Sequence, residues 1–444
     1  MTIPMVPPPA PPNVFIPPQI NSLDDTGLSP LWLQDLTLKI LYSRGYISGH
    51  KIAEEIALPF ANVVDQLLTV LKQDKLIEVK QSQGAGLGEG AYTYGITGQG
   101  MTRAREALER SQYAGPAPVP FEIYNEAIRR QKGGRVAVTT RTMRQILSQL
   151  VISEATFQRL GPALNSGTSI FLYGPPGNGK TSVARAFGSL VLSQSMYIPY
   201  ALYLDGQVIK LYDAVSHKLA PDGGAGGDGD TTGGLRTITR RDPRWQKIRR
   251  PFIVVGGELT LEGLDLVYDE THKFYEAPFQ VKANGGILLI DDFGRQQVRP
   301  RDLLNRWIIP LENRLDYLTL HNGRKVEVPF DVLVVFSTNL PPKDLVDEAF
   351  LRRLRHKIEI GDPSFDEYRE IFKRVAQDKK VEYNDQSLAY LLQEWYIKRN
   401  RKLRASHPRD LCDQILDISS YLSSPPVMSR EMIDRAAQAY FVEL

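Results

Sequence analysis

Residues Gly174-Pro175-Pro176-Gly177-Asn178-Gly179-Lys180-Thr181 constrain the fold of this chain more than any other feature. They satisfy the pattern G-x-x-x-x-G-K-[ST], and the apolar segment Ser169-Ile170-Phe171-Leu172-Tyr173 runs straight into them. Glycines let a backbone wrap closely enough for its N–H groups to point inward at phosphates. Lys180 adds a mobile positive charge. The helical run Ser182 to Leu192, starting near Thr181, aims its positive end at the same anion, and the Thr181 hydroxyl is placed to ligate magnesium. A glycine-rich turn before an ordinary helix is the alternative, and the motifs further along the chain weigh against it. Strand, loop and helix together imply a site for a nucleoside triphosphate.

Composition bounds the rest. With 444 residues, 42% of them apolar, the chain is long enough for a catalytic domain and an accessory domain. The formal net charge of +3 gives no global sign of nucleic-acid binding. The single cysteine, Cys412, has no partner for an internal disulfide and reads as a buried, inert thiol in a reducing cytoplasm. Nothing approaches the run of about 18 apolar residues that crosses a bilayer, and the N-terminus lacks the features of a signal peptide. A soluble, cytoplasmic protein with no membrane insertion is expected.

Residues 1–22 are proline-dense (Pro7-Pro8-Pro9, Pro11-Pro12, Pro17-Pro18), which favours an extended, disordered or loosely docked arm. Residues 23–112 follow the pattern helix, helix, helix, hairpin, helix. Val64, Leu67, Leu68 and Leu71 mark one helical face. Leu76-Ile77-Glu78-Val79 and Ala91 to Ile96 read as strands about the tip Gly84-Ala85-Gly86-Leu87-Gly88, and a last helix starts after Thr97. The order resembles a winged-helix domain. That segment holds nine Lys or Arg against eleven Asp or Glu, a net of minus two, so its charge favours contact with a protein over contact with DNA. The helix that a DNA reader would insert begins Pro59-Phe60-Ala61-Asn62 and carries Asp65.

Residues 113–137, with Gly115-Pro116-Ala117-Pro118-Val119-Pro120 and Lys132-Gly133-Gly134, have the composition of a linker. Beyond them, apolar segments at Ser169 to Tyr173, Pro251 to Gly256, Gly286 to Ile290 and Val332 to Ser337 alternate with helical stretches. That is the pattern of a doubly wound parallel sheet, an α/β fold. The glycine-rich stretch from Gly223 to Gly234 reads as a mobile loop. After it, Arg236, Arg240, Arg241, Arg244, Lys247, Arg249 and Arg250 surround Trp245. Such a run suits single-stranded nucleic acid or an acidic polypeptide, or equally a solvated face or a neighbouring subunit.

The strand Gly286-Ile287-Leu288-Leu289-Ile290 ends in Asp291-Asp292, which puts two carboxylates at the sheet edge where such folds hold their ligand. Asp291 is expected to hold magnesium and Asp292 to polarise the attacking water. The strand Val332 to Thr338 ends in Asn339, an amide for that water or for the terminal phosphate. Arg352 and Arg353 lie just before Lys357-Ile358-Glu359-Ile360, and Pro408-Arg409-Asp410-Leu411 opens a later helix.

Taken in this order, the five elements resemble the AAA+ ATPases, over about Arg141 to Leu444. The resemblance implies a nucleotide-binding core at 138–361 and a helical lid at 362–444, whose helices break at Ser423-Ser424-Pro425-Pro426 and resume at Ser429. It implies ATP and Mg2+ held by Gly174 to Ser182, with Thr181 and Asp291 on the metal. It makes Asn339 a first sensor, Arg353 the finger reaching a neighbour's site, with Arg352 the alternative, and Arg409 a second sensor. The family usually has Asp-Glu where this chain has Asp291-Asp292, which puts fast hydrolysis in doubt. The hairpin Asp316 to Val328, turning at Asn322-Gly323 with type I′ geometry, is similar to the pre-sensor hairpin of the branch with chelatase subunits, MoxR-like chaperones and enhancer-binding activators, where it faces a pore or client. A second insertion falls between Lys180 and Asp291. The resemblance implies an ATP-driven remodelling motor or MoxR-like chaperone, a homo-oligomer as a hexameric ring or helical filament acting on an unknown protein client. An ATP-switched DNA-binding assembly protein and a slowly hydrolysing scaffold are the alternatives.

Overall fold

The structure, a computed structural model, describes residues 15–80, 91–132, 138–221, 241–345 and 352–441. The apolar segments of the core form one sheet. Strands β1 (Ser169–Tyr173), β2 (Phe252–Val255), β3 (Ile287–Ile290), β4 (Leu333–Thr338) and β5 (His356–Glu359) lie in the order β2-β3-β4-β1-β5, each pair parallel. Alternate residues of a strand point to opposite faces, so a strand buried on both sides feeds two cores. Phe171, Leu288, Ile290, Val334 and Phe336 meet Leu303, Leu304 and Trp307 of the helix Pro300–Asn313. Ile170, Leu172, Leu289 and Val335 face Leu160 and Phe187 of the helices Glu154–Ser166 and Lys180–Val191. Each fully buried Leu or Phe of this kind stabilises the fold by ~1.5–3 kcal/mol. The fold is α/β, with helices on both faces of a parallel sheet.

The N-terminal region contains the helices Pro30–Arg44, Gly49–Glu55, Asp65–Gln73 and Gly98–Arg110. Ile77–Lys80 and Thr93–Ile96 pair antiparallel, and Ile47–Ser48 adds a short third strand. The expected glycine-rich tip lies outside the described residues. Val64, Leu67, Leu68 and Leu71 are buried as their spacing demands. The third helix does not begin at Pro59. Ala61 is extended (ψ 134°) and Asn62 is left-handed (φ 65°), so a wide turn precedes regular helix at Asp65. Residues 15–22 are docked rather than loose: Phe15 and Ile20 are buried, and Phe15 tilts against Trp245 with ring centroids 5.6 Å apart.

Three further expectations are corrected. Residues 113–137 are not simply a linker: Val119–Pro120 is a strand and Phe121–Gln131 a helix whose Phe121, Tyr124 and Ile128 are buried. That helix wedges between the hairpin and a second, mixed sheet of strands 267–269, 274–276, 207–210, 201–204 and 119–120. The prolines misled because Pro116 sits at a bend and Pro120 ends an outermost strand and precedes the helix, where a missing N–H costs little.

Of the five basic residues of this run that are described, Arg244 and Arg250 are interior, Arg241 and Lys247 are half-buried and Arg249 is exposed. Trp245 and Arg244 are buried, and Arg244 pairs with Asp242 at 2.9 Å while donating to Thr26 O and Pro118 O. Arg250 is buried and donates to Gly285 O and Gln131 O. These arginines seam insertion, N-terminal region and core together. Arg236, Arg240 and the glycine-rich loop lie outside the described residues.

The hairpin forms from Leu315–Thr319 and Lys325–Pro329, but its turn is not type I′. Asn322 keeps a negative φ, Gly323 alone is left-handed (φ 81°), Gly323 N–H donates to Leu320 O and Leu320 N–H to Arg324 O. That is a three-residue loop closing on a glycine bulge. The hairpin also does not project freely. Leu318, Leu320, Val326 and Val328 are buried in one core with Ile209 and Tyr275 of the second sheet and the adjoining Leu211. The second sheet in turn shares the N-terminal core through Ala201 and Val208, with Trp32 edge-on to Tyr203.

The C-terminal region is helical: Phe365–Asp378, Asp385–Leu391, His407–Tyr421 and Arg430–Tyr440. Tyr368, Phe372, Trp395, Leu411, Cys412 and Ile433 share its core. Ser364 and Glu367 form a capping box, and Ser429 caps the last helix by accepting from Met432 N–H. Burial pushes the Cys412 thiol up to about 12, which leaves it inert.

Candidate functional site

Strand β1 ends at Tyr173, the loop follows, and a helix begins at Lys180. Lys180 is buried, and its Nζ donates to Gly174 O and Pro175 O, both at 2.9 Å, and to Asn339 Oδ1 at 2.7 Å. Burial lowers the Lys180 pKa from its ordinary value, Asp292 and Asp291 oppose that shift, and Arg404 adds to it. Thr181 Oγ1 lies 3.0 Å from each carboxylate oxygen of Asp291. The carboxylate stands there because Asp291 N–H is still bonded to Val255 O at the end of β2.

Asp292 is exposed and left-handed (φ 49°), a conformation that short polar side chains tolerate better than longer ones. Asn339 Nδ2 approaches its Oδ1 at 3.4 Å. The ends of β1, β3 and β4 thus bring Lys180, Thr181, Asp291, Asp292 and Asn339 together, as their motifs predict.

All of these but Asp291 border a cavity of about 890 Å³, closed on its other side by the C-terminal region. Leu150, Ile152, Ile371 and Val375 make part of its wall apolar, while Pro176 to Ser182, Asp292 and Asn339 make the opposite part polar. Arg409 lines the same cavity, largely exposed and 3.3 Å from Asp410. One apolar wall and one polar cradle suit a flat base joined to a polyphosphate.

Arg352 and Arg353 are not brought to this cavity. They line another of about 650 Å³ with Thr168, Ser169, Arg314 and Arg355, at the start of β1. Arg353 Nε sits 2.5 Å from Glu312 Oε1. The loop lies at the other end of β1, about 17 Å away at ~3.3 Å per residue.

Sequence reading missed the junction between loop and C-terminal region. Asn178 Nδ2 donates to Asp362 Oδ1 at 2.8 Å, its Oδ1 accepts from Ala405 N–H at 3.1 Å, and Arg404 pairs with Asp362. Gly177 (φ 79°) is needed there, because a Cβ would fall 2.6 Å from Ser406 Oγ. A basic run ahead of Pro408 was the only signal.

A magnesium ion prefers hard oxygen donors and keeps several waters. The Thr181 hydroxyl and Asp291 carboxylate fit that preference. Among the described residues no cluster of three His, Cys, Asp or Glu side chains is placed to hold a metal unaided, so phosphate oxygens and water would complete the shell. Among the same residues no helix is long and apolar enough to cross a membrane.

The model of one protein family, described as a domain of unknown function (DUF8689), matches residues 364–439. No curated protein matches the chain. Among solved structures it is similar to the RuvB Holliday junction branch migration motor of Thermotoga maritima, at 16% identity over 66% of this chain and 71% of that one, with a TM-score of 0.36. It is also similar to NtrX from Brucella abortus, at 13% identity over 86% of this chain and 63% of that one, with a TM-score of 0.38.

Proposed function

We propose that this chain is an AAA+ ATPase that binds Mg-ATP in the 890 Å³ cavity and turns its hydrolysis into movement of the helical C-terminal region against the core. The convergence of Lys180, Thr181, Asp291, Asp292 and Asn339 from separate strand ends carries this reading. In it, backbone N–H groups of Gly177, Asn178 and Gly179 and the Lys180 ammonium hold the β- and γ-phosphates. Thr181 and Asp291 would hold magnesium, which supplies neutralisation of charge on the phosphate oxygens. Asp292 accepts the proton side of the attacking water, and Asn339 orients that water or the terminal phosphate.

Arg353, at the opposite edge of the sheet, acts on the site of a neighbouring copy, with Arg352 beside it; Arg409 reads the nucleotide from the lid. The assembly is a homo-oligomer, a hexameric ring or a helical filament. Residues 23–112 serve as a winged-helix domain that docks a protein partner, and because they share one core with the second sheet, which shares another with the hairpin, partner and motor move as one body. That packing supports a motor or chaperone whose client is met through the N-terminal region.

Nucleotide titration and phosphate release test the reading. Lys180→Ala should abolish binding, whereas Asp292→Asn should bind ATP without hydrolysing it. Unchanged turnover in the Lys180 variant overturns the assignment.

A further inference from the structure

The geometry points to a latch, built from Asn178, Asp362 and Arg404, that ties the phosphate loop to the helical C-terminal region and sets how long a nucleoside diphosphate stays bound. The inference rests on the nucleotide-binding reading of the cavity.

Asn178 is one of the loop's variable positions, yet its side chain is fully committed elsewhere. It is buried, its Nδ2 is spent on Asp362 and its Oδ1 on the Ala405 N–H. Asp362 Oδ1 receives both the Asn178 amide and the Arg404 guanidinium, so one carboxylate oxygen joins the loop to the C-terminal region. Asp362 also marks the chain's passage between the two bodies: β5 ends at Glu359, and Ser364 caps the first helix of the C-terminal region. The helix that carries Arg409 begins at His407, three residues after Arg404.

Any rotation that lifts residues 404–406 from the loop therefore breaks the Asn178–Ala405 bond and one more: Arg404–Asp362 if Asp362 stays with the loop, or Asn178–Asp362 if Asp362 follows Arg404. Gly177, with no side chain, lets the loop lie this close to Ser406. A loop shaped by its phosphates then holds the lid, and a lid held down retains the nucleotide; the two effects are reciprocal.

Stopped-flow release of a fluorescent N-methylanthraniloyl ADP from the full chain with magnesium tests this. Arg404→Ala and Asp362→Ala should each release the probe about tenfold faster, the scale of one charge-assisted hydrogen bond. The double variant should be no faster than the faster single one, since both act on one link, and Arg404→Lys should recover most of the slow release. Should a variant fail to fold, amide exchange on the parent decides: the Ala405 N–H is expected to be protected and to gain protection with ADP. Probe release within twofold of the parent in both alanine variants, or an unprotected Ala405 amide, overturns the latch and leaves the nucleotide reading standing. A parent chain that does not bind the probe overturns both.

Discussion

The Lys180 ammonium donates to Asn339 Oδ1 at 2.7 Å while the same amide directs its Nδ2 toward Asp292 Oδ1 at 3.4 Å, so one side chain spans the cation and the acid of the candidate site. A group so placed fixes positions more than it adds charge. Asn339→Ala should therefore slow phosphate release by about 100-fold, the usual scale for deleting one preorganised polar group, with a much smaller change in ATP affinity. Paired measurements of turnover and binding check this; equal losses in both would mean that Asn339 only holds the ground state.

Arg353 and the loop occupy opposite ends of β1, which predicts complementation. Lys180→Ala and Arg353→Ala should each be inactive alone. Mixed and allowed to exchange subunits, they should regain phosphate release, because an intact Lys180 site would then face an intact Arg353. A mixture that stays inactive would argue that Arg353 serves its own chain.

Much of this was legible because it is local. The loop motif, the acid tip Asp291-Asp292 and Asn339 each follow a continuous apolar run, and a run buried on both faces announces a central strand whatever surrounds it. The second sheet had no such signature. It pairs Val119–Pro120 with residues near 202 and joins residues 207–210 to 274–276, pairings set by distant partners through strands too short to show a period. Arg244 and Arg250 misled for a related reason: composition records a charge, but whether it faces water or a buried carbonyl is decided by the chain that packs over it. The link from Asn178 to Asp362 spans 184 residues and could not be seen from either end.

The buried Arg244 gives a stability test. Truncating one partner leaves the other charge desolvated, so Arg244→Ala should cost about 3–5 kcal/mol in the N-terminal and insertion bodies. The adjacent Trp245 should report it as an earlier thermal transition in fluorescence. Adding Asp242→Ala should restore only part, since Thr26 O and Pro118 O would still lack their donor at ~1–3 kcal/mol each. Full recovery in the double variant would show that the two carbonyls find other partners.

His407 makes the C-terminal region sensitive to acid. It sits against Tyr396, Tyr440 and Phe441, with its Nδ1 2.8 Å from the Tyr396 hydroxyl, which is itself 2.8 Å from Tyr368 OH. Burial lowers its pKa from 6.5 to about 4; Asp410 and Asp362 oppose the shift, and Arg404 and Arg401 add to it. An unfolded chain takes up this proton below pH 6.5, whereas the folded one refuses it until about pH 4. The unfolded state thus binds more protons within that window, so the stabilisation is complete above pH 6.5 and is lost as pH falls toward 4. Thermal melts of the parent and of His407→Gln, followed through Trp395, should converge as the pH is lowered through this range, the parent losing stability faster. Parallel pH profiles would remove His407 as the cause. Because His407 opens the helix that carries Arg409, its protonation in the folded chain should weaken nucleotide retention in the parent before the core sheet melts, and nucleotide release followed down to about pH 4 would separate the two events.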